Sequence, residues 1–288
     1  MRNLNKATIT DAVIERHQHA SDDRLKTIMS SLVRHLHDFA RDVELTEDEW
    51  EHAVQFLTEV GQTCSETRQE FILLSDVLGL STLLVAQNQE KPDGCTEATV
   101  FGPFHVENAP AYELGDDISN GLQGSPWFVQ GRVLGNDNSP VPFARIEVWQ
   151  ADELGYYDVQ RSDNPEMAGR GVLTADRQGH YHFKSVVPAC YPIPDDGPVG
   201  RMLEALGRHP WRPAHLHFMI RADGYERLVT HIFREGGDYL DSDAVFGVRS
   251  SLIADWKEHR PGNTAPNGER PDETFYTLNF DFVLNRVD

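Results

Sequence analysis

The stretch PAHLHFMIR, residues 213–221, decides the fold of the second half of the chain. Apolar residues occupy both phases of its alternation, which is typical of a strand buried on both faces. His215 and His217 are two residues apart, so their side chains share one face with Cα atoms about 6.6 Å apart, and both can reach one metal ion. Two buried imidazoles could equally form a hydrogen-bonded pair in the core. The stretch by itself leaves both interpretations open.

Period-two alternation continues on either side of this strand. It predicts further strands at residues 129–134, 144–148, 180–187 and 227–233. A last strand follows the alternating residues Tyr276, Leu278, Phe280 and Phe282. Turns rich in Gly, Asn, Asp and Pro separate these segments. The fold class is therefore mainly β with α, and the second half is predicted to be an antiparallel β-sandwich that carries long functional loops.

The N-terminal third has helical periodicity instead. Apolar residues recur at spacings of three and four at Leu25, Ile28, Leu32, Leu36 and Phe39. Thr46 and Glu49 form a capping box that begins a second helix. Residues 71–86, the most apolar stretch, are too few to span a membrane and are predicted to form a buried helix. Since Pro and Gly interrupt the pattern from residue 92 onward, we expect a helical domain at residues 1–97 and a β-sandwich domain at residues 98–288.

The chain is strongly acidic, with 26 Lys and Arg against 46 Asp and Glu and a formal net charge of −20. Such a charge repels nucleic acids and anionic membrane surfaces, so neither is an expected partner. Cys64, Cys95 and Cys190 are far apart and form no CxxC pair, which argues against a thiolate zinc site and a disulfide framework. The first residues, MRNLNKATIT, lack the apolar region of a signal peptide. We expect a cytoplasmic protein.

A metal ion at His215 and His217 needs further ligands. The same strand contains no Asp or Glu that would complete a facial triad of two histidines and a carboxylate. Tyr157, at the end of VWQADELGYY, and Tyr191, in PACYPIP, stand out instead. Tyrosines in such positions are more often packing aromatics than ligands. The residues alone do not choose between these roles.

Several motifs together resemble the intradiol ring-cleaving dioxygenases. They are GPF (102–104), VWQADELGYY (148–157), TADRQGHY (174–181), PACYPIP (188–194) and GRHPWRPAHLHF (207–218). The match runs in order from about residue 71 to residue 248, and the helical first part resembles that family's linker and dimerisation domain. The resemblance implies one Fe(III) per chain, bound by Tyr157, Tyr191, His215 and His217. Fe(III) is a hard ion that favours phenolate oxygen, which agrees with two tyrosine ligands.

The resemblance also implies the reaction. An aromatic diol would bind the metal through its two adjacent hydroxyl groups and displace Tyr191, which could then carry a proton away. Arg212, also a catalytic residue by this resemblance, would stabilise the negative charge on the ring as the ring reacts with O2. The ring would open between the two hydroxyl groups and give a muconate-type diacid.

Within the family, the chain most resembles the enzymes for hydroxyquinol (benzene-1,2,4-triol), whose product is 3-hydroxy-cis,cis-muconate or maleylacetate. The resemblance implies a substrate pocket of Leu73, Asp76, Val100, Phe101, Gly102, Pro103, Ile193, Pro194, Arg212, His231 and Val245. Asp76 would accept a hydrogen bond from the third hydroxyl group, although a charge on a helix surface is the other interpretation. Catechol or chlorocatechol, giving a cis,cis-muconate, are alternative substrates.

The family usually forms homodimers through the helical domain, with an apolar channel that holds lipid. A packed core would produce the same helical pattern. Two alternatives lie outside the family. A zinc or copper hydrolase or oxidase would need a third ligand beside His215 and His217, and a noncatalytic metal-binding sandwich module would consume no O2.

Overall fold

The computed structural model describes residues 3–65, 68–161 and 167–287. The chain divides into two compact units, residues 1–59 and residues 60–288. The helices of the described residues are α1 (Ile9–Arg16), α2 (Asp23–Asp42), α3 (Glu47–Thr63), α4 (Glu70–Val77), α5 (Leu80–Asn88) and α6 (Pro198–Ala205). The boundary predicted after residue 97 follows the change from helices to strands, and it stays a prediction.

Local hydrogen bonds cap the N-termini of the first two long helices, α2 and α3. At the start of α2, the Asp22 carboxylate accepts hydrogen bonds from the backbone N–H groups of Arg24 and Leu25. The predicted capping box begins α3: the Thr46 N–H donates to Glu49 Oε2 at 2.9 Å, and the Glu49 N–H donates to Thr46 Oγ1 at 3.3 Å. The prediction of helices in this region is confirmed. The apolar stripe of α2 is exposed at Leu25, Ile28, Leu32, Leu36 and Phe39.

The prediction of one buried helix over residues 71–86 is wrong. α4 and α5 are separate helices, and their axes bend by 76° at the break. Gly79 has a positive φ of 74°, a left-handed conformation that ends one helix and precedes the next. Phe71, Leu80 and Leu83 on these helices are about half exposed. Among the described residues, no single helix is long and apolar enough to cross a membrane, and α4 with α5 meets that test only as a bent pair.

The second unit contains the predicted β-sandwich, which is confirmed. The strands are β1 (Pro126–Gly135), β2 (Arg145–Gln150), β3 (Arg170–Thr174), β4 (His180–Val186), β5 (Tyr191–Pro192), β6 (Trp211–Arg212), β7 (His215–Arg221), β8 (Leu228–Arg234), β9 (Ile253–Ala254), β10 (Lys257–His259), β11 (Phe275–Asn279) and β12 (Phe282–Leu284). One sheet has the order β3-β2-β7-β8-β9, and the other has β10-β11-β1-β12 with β4 also paired to β1. β5 and β6 form a separate two-stranded ribbon. Residues of both large sheets, such as Val129 and Phe218, share one core.

The sheets are mixed rather than wholly antiparallel. β1 pairs in parallel with β11 and β12, and β8 pairs in parallel with β9. The predicted single strand through Tyr276 and Phe282 is split into β11 and β12. At the break, the Asp281 side chain accepts the Arg132 N–H at 2.9 Å, so a carboxylate takes the place of a backbone acceptor in the ladder.

Strand β7 places the two histidines of the HxH pair. Leu216, Phe218 and Ile220 point into the sandwich core. His215 and His217 alternate with them and therefore point to the opposite face of the same sheet. In the antiparallel pairing, His217 lies opposite Trp149 of β2 and His231 of β8. The outer face of this sheet, covered by loops, is thus the location of the candidate site.

Candidate metal centre

Four buried side chains bring their polar atoms together on this face. Tyr157 Oη lies 2.8 Å from His217 Nε2, 3.4 Å from His215 Nε2 and 3.5 Å from Tyr191 Oη. The Nε2 atoms of the two histidines are 3.1 Å apart. All four side chains are nearly inaccessible to solvent. The structure therefore brings together the residues that the resemblance implied as ligands.

The protonation of these groups suits a bound cation. His215 Nδ1 lies 2.7 Å from the carbonyl oxygen of Pro213, so Nδ1 carries the proton and the Nε2 lone pair faces the cluster. Burial, together with the nearby Arg212 charge, lowers the pKa of His215 to about 3, and burial lowers the pKa of His217 well below its ordinary value. Burial raises the pKa of the Tyr157 phenol well above its ordinary value. Two neutral imidazoles and a phenol at this separation are a donor set that a hard metal ion would stabilise as phenolate and imidazole ligands.

A tight turn positions Tyr157. Asp152 Oδ1 accepts hydrogen bonds from the N–H groups of Leu154 and Tyr156, which folds the chain between β2 and Tyr157. Gly155 has a φ of +84°, and a Cβ atom there would lie 2.9 Å from the Cβ of Tyr191. Only glycine allows the turn and Tyr191 to approach so closely.

Phe104 and Arg170 hold Tyr157 from the other side. The Phe104 ring stacks on the Tyr157 ring with 4.3 Å between centroids. The buried Arg170 pairs with Asp158, the residue after Tyr157, and donates to the Phe104 carbonyl oxygen at 3.0 Å. The Tyr157 phenol therefore has little freedom to leave the cluster.

The ribbon of β5 and β6 places Tyr191 beside Arg212. The two residues are directly paired across the strands. Arg212 Nη1 lies 3.4 Å from Tyr191 Oη and 3.3 Å from His215 Nε2. Burial disfavours the charge on Arg212, but Asp243, Tyr191 and Tyr157 together outweigh burial and raise the pKa of the guanidinium above its ordinary value. A permanent positive charge therefore lies within reach of the cluster.

His231 is a third buried imidazole in the same place. Its ring stacks on His215 with 4.8 Å between centroids and meets His217 edge-on at 4.1 Å. One nitrogen from each of the three rings lies within 4.8 Å of the others, so these histidines form a possible metal-binding group. His231 had been implied as a substrate contact, and the structure places it against the two histidines of the HxH pair instead of on the cavity wall described next.

An apolar cavity opens next to Tyr191 and Arg212. Most of the implied pocket residues line it: Leu73, Asp76, Val100, Gly102, Pro103, Ile193, Pro194, Arg212 and Val245. Phe101 does not line it, because its partly exposed ring packs near His105 and Trp149. Arg68, Gln69, Glu70 and Phe104 also line it, and no sequence motif indicates the first three.

Asp76 is buried in the wall of this cavity, with 7% of its surface exposed. The alternative of a charge on the helix surface therefore does not describe it. Burial raises the pKa of the Asp76 carboxyl above its ordinary value, although a hydrogen bond from Ser81 and the charge of Arg212 act against the rise. A buried carboxyl group on an apolar wall is a natural partner for a hydroxyl group of a ligand.

Two family models cover nearly the whole chain. Residues 100–286 match the family described as "Dioxygenase", and residues 22–96 match "Catechol dioxygenase N terminus". The chain belongs to the intradiol dioxygenase family. This dioxygenase is 58% identical over 285 residues to 6-chlorohydroxyquinol 1,2-dioxygenase of Cupriavidus pinatubonensis, with 99% of each chain covered.

A further relative and a crystal structure support the same family assignment. The dioxygenase is 50% identical over 278 residues to hydroxyquinol 1,2-dioxygenase of Corynebacterium glutamicum, covering 96% of this chain and 92% of the relative. The crystal structure of hydroxyquinol 1,2-dioxygenase from Pseudomonas putida superposes with a TM-score of 0.91 at 45% identity and covers 98% of both chains. The predicted family and the ring-cleaving class of enzyme are confirmed, and with them a metal site, an aromatic substrate and O2.

Proposed function

We propose that this dioxygenase cleaves hydroxyquinol with O2 between the two adjacent hydroxyl groups, giving 3-hydroxy-cis,cis-muconate or its keto form, maleylacetate. The observation that carries the proposal is the buried Asp76 carboxyl on the wall of an apolar cavity that also contains Tyr191 and Arg212. A ring bound at the proposed iron site through two adjacent hydroxyl groups would extend its third hydroxyl group toward this wall. The names of the relatives support the same substrate.

The proposed cofactor is one Fe(III) per chain, with Tyr157, Tyr191, His215 and His217 as ligands. Its support is that three buried polar atoms, Tyr191 Oη, His215 Nε2 and His217 Nε2, lie within 3.5 Å of Tyr157 Oη. The two Nε2 atoms are also 3.1 Å apart. When bound there, Fe(III) would hold the two adjacent oxygens of the substrate and make the ring reactive toward O2. His231 supports the ligands through ring stacking on His215.

Side chains of the protein accept the proton, stabilise the developing charge and exclude water. As a metal ligand Tyr191 would be a phenolate, and it would accept the proton of a substrate hydroxyl group and become a neutral phenol. The neighbouring Arg212 guanidinium lies 3.4 Å from this oxygen and keeps it in place. Arg212 also stabilises the negative charge that develops on the ring. Apolar side chains of Leu73, Val100, Ile193 and Val245 exclude water, and Gly102, Pro103 and Pro194 shape the wall.

We also propose that the chain forms a homodimer through the helical domain, with lipid bound between the helices. The exposed apolar stripe of α2 supports this, since Leu25, Leu32 and Leu36 are each about half exposed.

The two family matches meet between residues 96 and 100, which supports a domain boundary after residue 97. The three free cysteines support a reducing, cytoplasmic location.

O2 uptake by the purified protein tests the function. Hydroxyquinol, catechol and 4-chlorocatechol would be compared at equal concentration, with iron content measured on the same preparation. We expect kcat/KM to be highest for hydroxyquinol. A higher kcat/KM for catechol or 4-chlorocatechol would overturn the substrate assignment but not the iron site. Bound iron without O2 uptake on any diol would favour a noncatalytic metal-binding module.

A further inference from the structure

The guanidinium of Arg212 is held from the side that faces away from the proposed ligands. Its Nε donates to Asp243 Oδ1 at 3.0 Å, and its Nη2 donates to Asp243 Oδ2 at 3.2 Å. A guanidinium is planar, and a two-point pair with a carboxylate fixes both its plane and its rotation. The remaining nitrogen, Nη1, is thereby directed at Tyr191 Oη and His215 Nε2.

Asp243 is itself held rigidly. Its Oδ2 accepts the Gly247 N–H at 2.9 Å, and its Oδ1 accepts the Val245 N–H at 3.3 Å. The loop is tied to two other segments, because Thr99 Oγ1 donates to the Gly247 carbonyl oxygen at 2.8 Å and Thr82 Oγ1 donates to the Val245 carbonyl oxygen at 3.0 Å. The direction of the carboxylate is therefore set by α5 and by the segment before β1.

Gly247 leaves the space in which this pair forms. A Cβ atom at residue 247 would lie 3.0 Å from Arg212 Nη2 and 3.2 Å from Asp243 Oδ2. Both distances are closer than carbon normally approaches these atoms, so a side chain would push the two charged groups. Asp243 and Arg212 are both buried, so no solvent would replace a lost contact.

We propose that Asp243 is a positioning residue for the reaction: it acts through Arg212, by fixing the direction of Nη1 toward the reacting ring. This inference rests on the role proposed above for Arg212. A second possibility is that Asp243 only closes its own loop, through the N–H groups of Val245 and Gly247. The two roles differ in one respect, because only a positioning role disappears when Arg212 is absent.

A double-mutant cycle of Asp243→Asn and Arg212→Ala separates the roles, using the diol that the wild type cleaves fastest. We expect Asp243→Asn alone to lower kcat by about tenfold or more with iron content unchanged, and to cost less than about threefold when added to Arg212→Ala. Losses that multiply would show that Asp243 acts independently and would overturn the proposal. Asp241→Asn, an exposed acid on the same loop, is the matched control and should stay within about twofold of wild type.

The same cycle on the stability of the metal-free protein gives a readout that needs neither iron nor substrate. Each single variant leaves one buried charge unpaired, so its denaturation midpoint should fall, and the double variant should be less destabilised than the sum of the two. Additive losses of stability would show that the pair does not form, which also overturns the proposal. If the wild type cleaves no diol, the proposed function fails, and this stability cycle still decides whether Asp243 holds Arg212.

Gly247→Ala provides a second variant that keeps both charges and does not depend on Asp243→Asn folding well. Because the added methyl group displaces the pair, we expect kcat to fall at least about fivefold with little change in KM for the diol, and the loss to vanish in the Arg212→Ala background. A Gly247→Ala protein with wild-type kcat would contradict a requirement for exact placement of the guanidinium.

Discussion

The hydroxyl oxygen of Tyr157 and Nε2 of His217 lie 2.8 Å apart, although 60 residues separate them in the chain. The tyrosine comes from the loop after β2 and the histidine from β7, and these strands are neighbours in one sheet. Pairing of Trp149 with His217 brings the end of β2 beside the site, and the turn at residues 152–156 then returns Tyr157 to the same face.

Tyr157→Phe should lose iron or the visible absorption of a phenolate ligand, because it removes the oxygen and keeps the ring that stacks on Phe104. Metal analysis and a visible spectrum of the purified variant measure this. Tyr181→Phe is the control, since Tyr181 is buried in the same unit but donates to the Phe280 carbonyl oxygen at 2.7 Å. Full iron with an unchanged spectrum in Tyr157→Phe would remove Tyr157 from the ligands.

Arg212→Ala should keep its iron and lose turnover by a hundredfold or more, about 3 kcal/mol for one preorganised electrostatic contact. The reason is the position of Nη1, 3.4 Å from Tyr191 Oη, and the burial of both side chains. Steady-state O2 uptake together with the visible spectrum measures both properties. Arg286→Ala, an exposed arginine, serves as the control. Turnover equal to wild type in the Arg212 variant would contradict its role.

Asp76→Asn should lower kcat/KM for hydroxyquinol far more than for catechol, which lacks the third hydroxyl group. The expected difference is about 1.5–3 kcal/mol, the size of a hydrogen bond to a charged group, or about ten- to a hundredfold in the ratio of specificity constants. Parallel kinetics on the two substrates measure it. Equal losses on both would mean that the buried Asp76 only supports α4.

Gly155→Ala should disturb Tyr191, because the new Cβ atom would lie 2.9 Å from the Tyr191 Cβ and 3.0 Å from the Cys190 carbonyl oxygen. We expect lower iron content and a shifted visible band. Gly262→Ala is a matched control: its φ of +79° is similar, but nothing lies within 4 Å of the new atom. Both variants should lose about 1–2 kcal/mol from the left-handed backbone, so a loss of iron and a spectral shift in Gly155→Ala alone would come from the contacts of the new atom. Identical spectra would limit Gly155 to a backbone role.

The sequence predicted those parts of the site that depend on local patterns. Alternation along residues 215–221 was enough to place both histidines on one face of a strand. The family motifs implied that Tyr157 and Tyr191 bind the same metal ion as these histidines. Asp243 was missed, because nothing in its local sequence indicates that it pairs with Arg212, 31 residues away. His231 was placed on the substrate wall, since only the register of β7 with β8 brings it against His217.

The errors in the fold have the same origin. The break at Gly79 depends on a left-handed residue that an apolar run does not reveal. The split between β11 and β12 depends on the Asp281 carboxylate reaching the Arg132 N–H of a strand 149 residues earlier. Parallel pairing of β1 with both segments likewise depends on the tertiary path, because alternation is the same for parallel and antiparallel neighbours on a half-buried sheet.

Strand β7 divides its residues between the scaffold and the chemistry, with Leu216 and Phe218 in the core and His215 and His217 at the site. One inserted or deleted residue would exchange the two sets, so this strand cannot drift in register without losing fold and activity together. The cavity wall is built differently, from short segments around Leu73, Val100, Ile193 and Val245. Changes in substrate range can therefore accumulate one segment at a time while β7 stays fixed, and directed evolution of this enzyme toward other diols should find its productive mutations there.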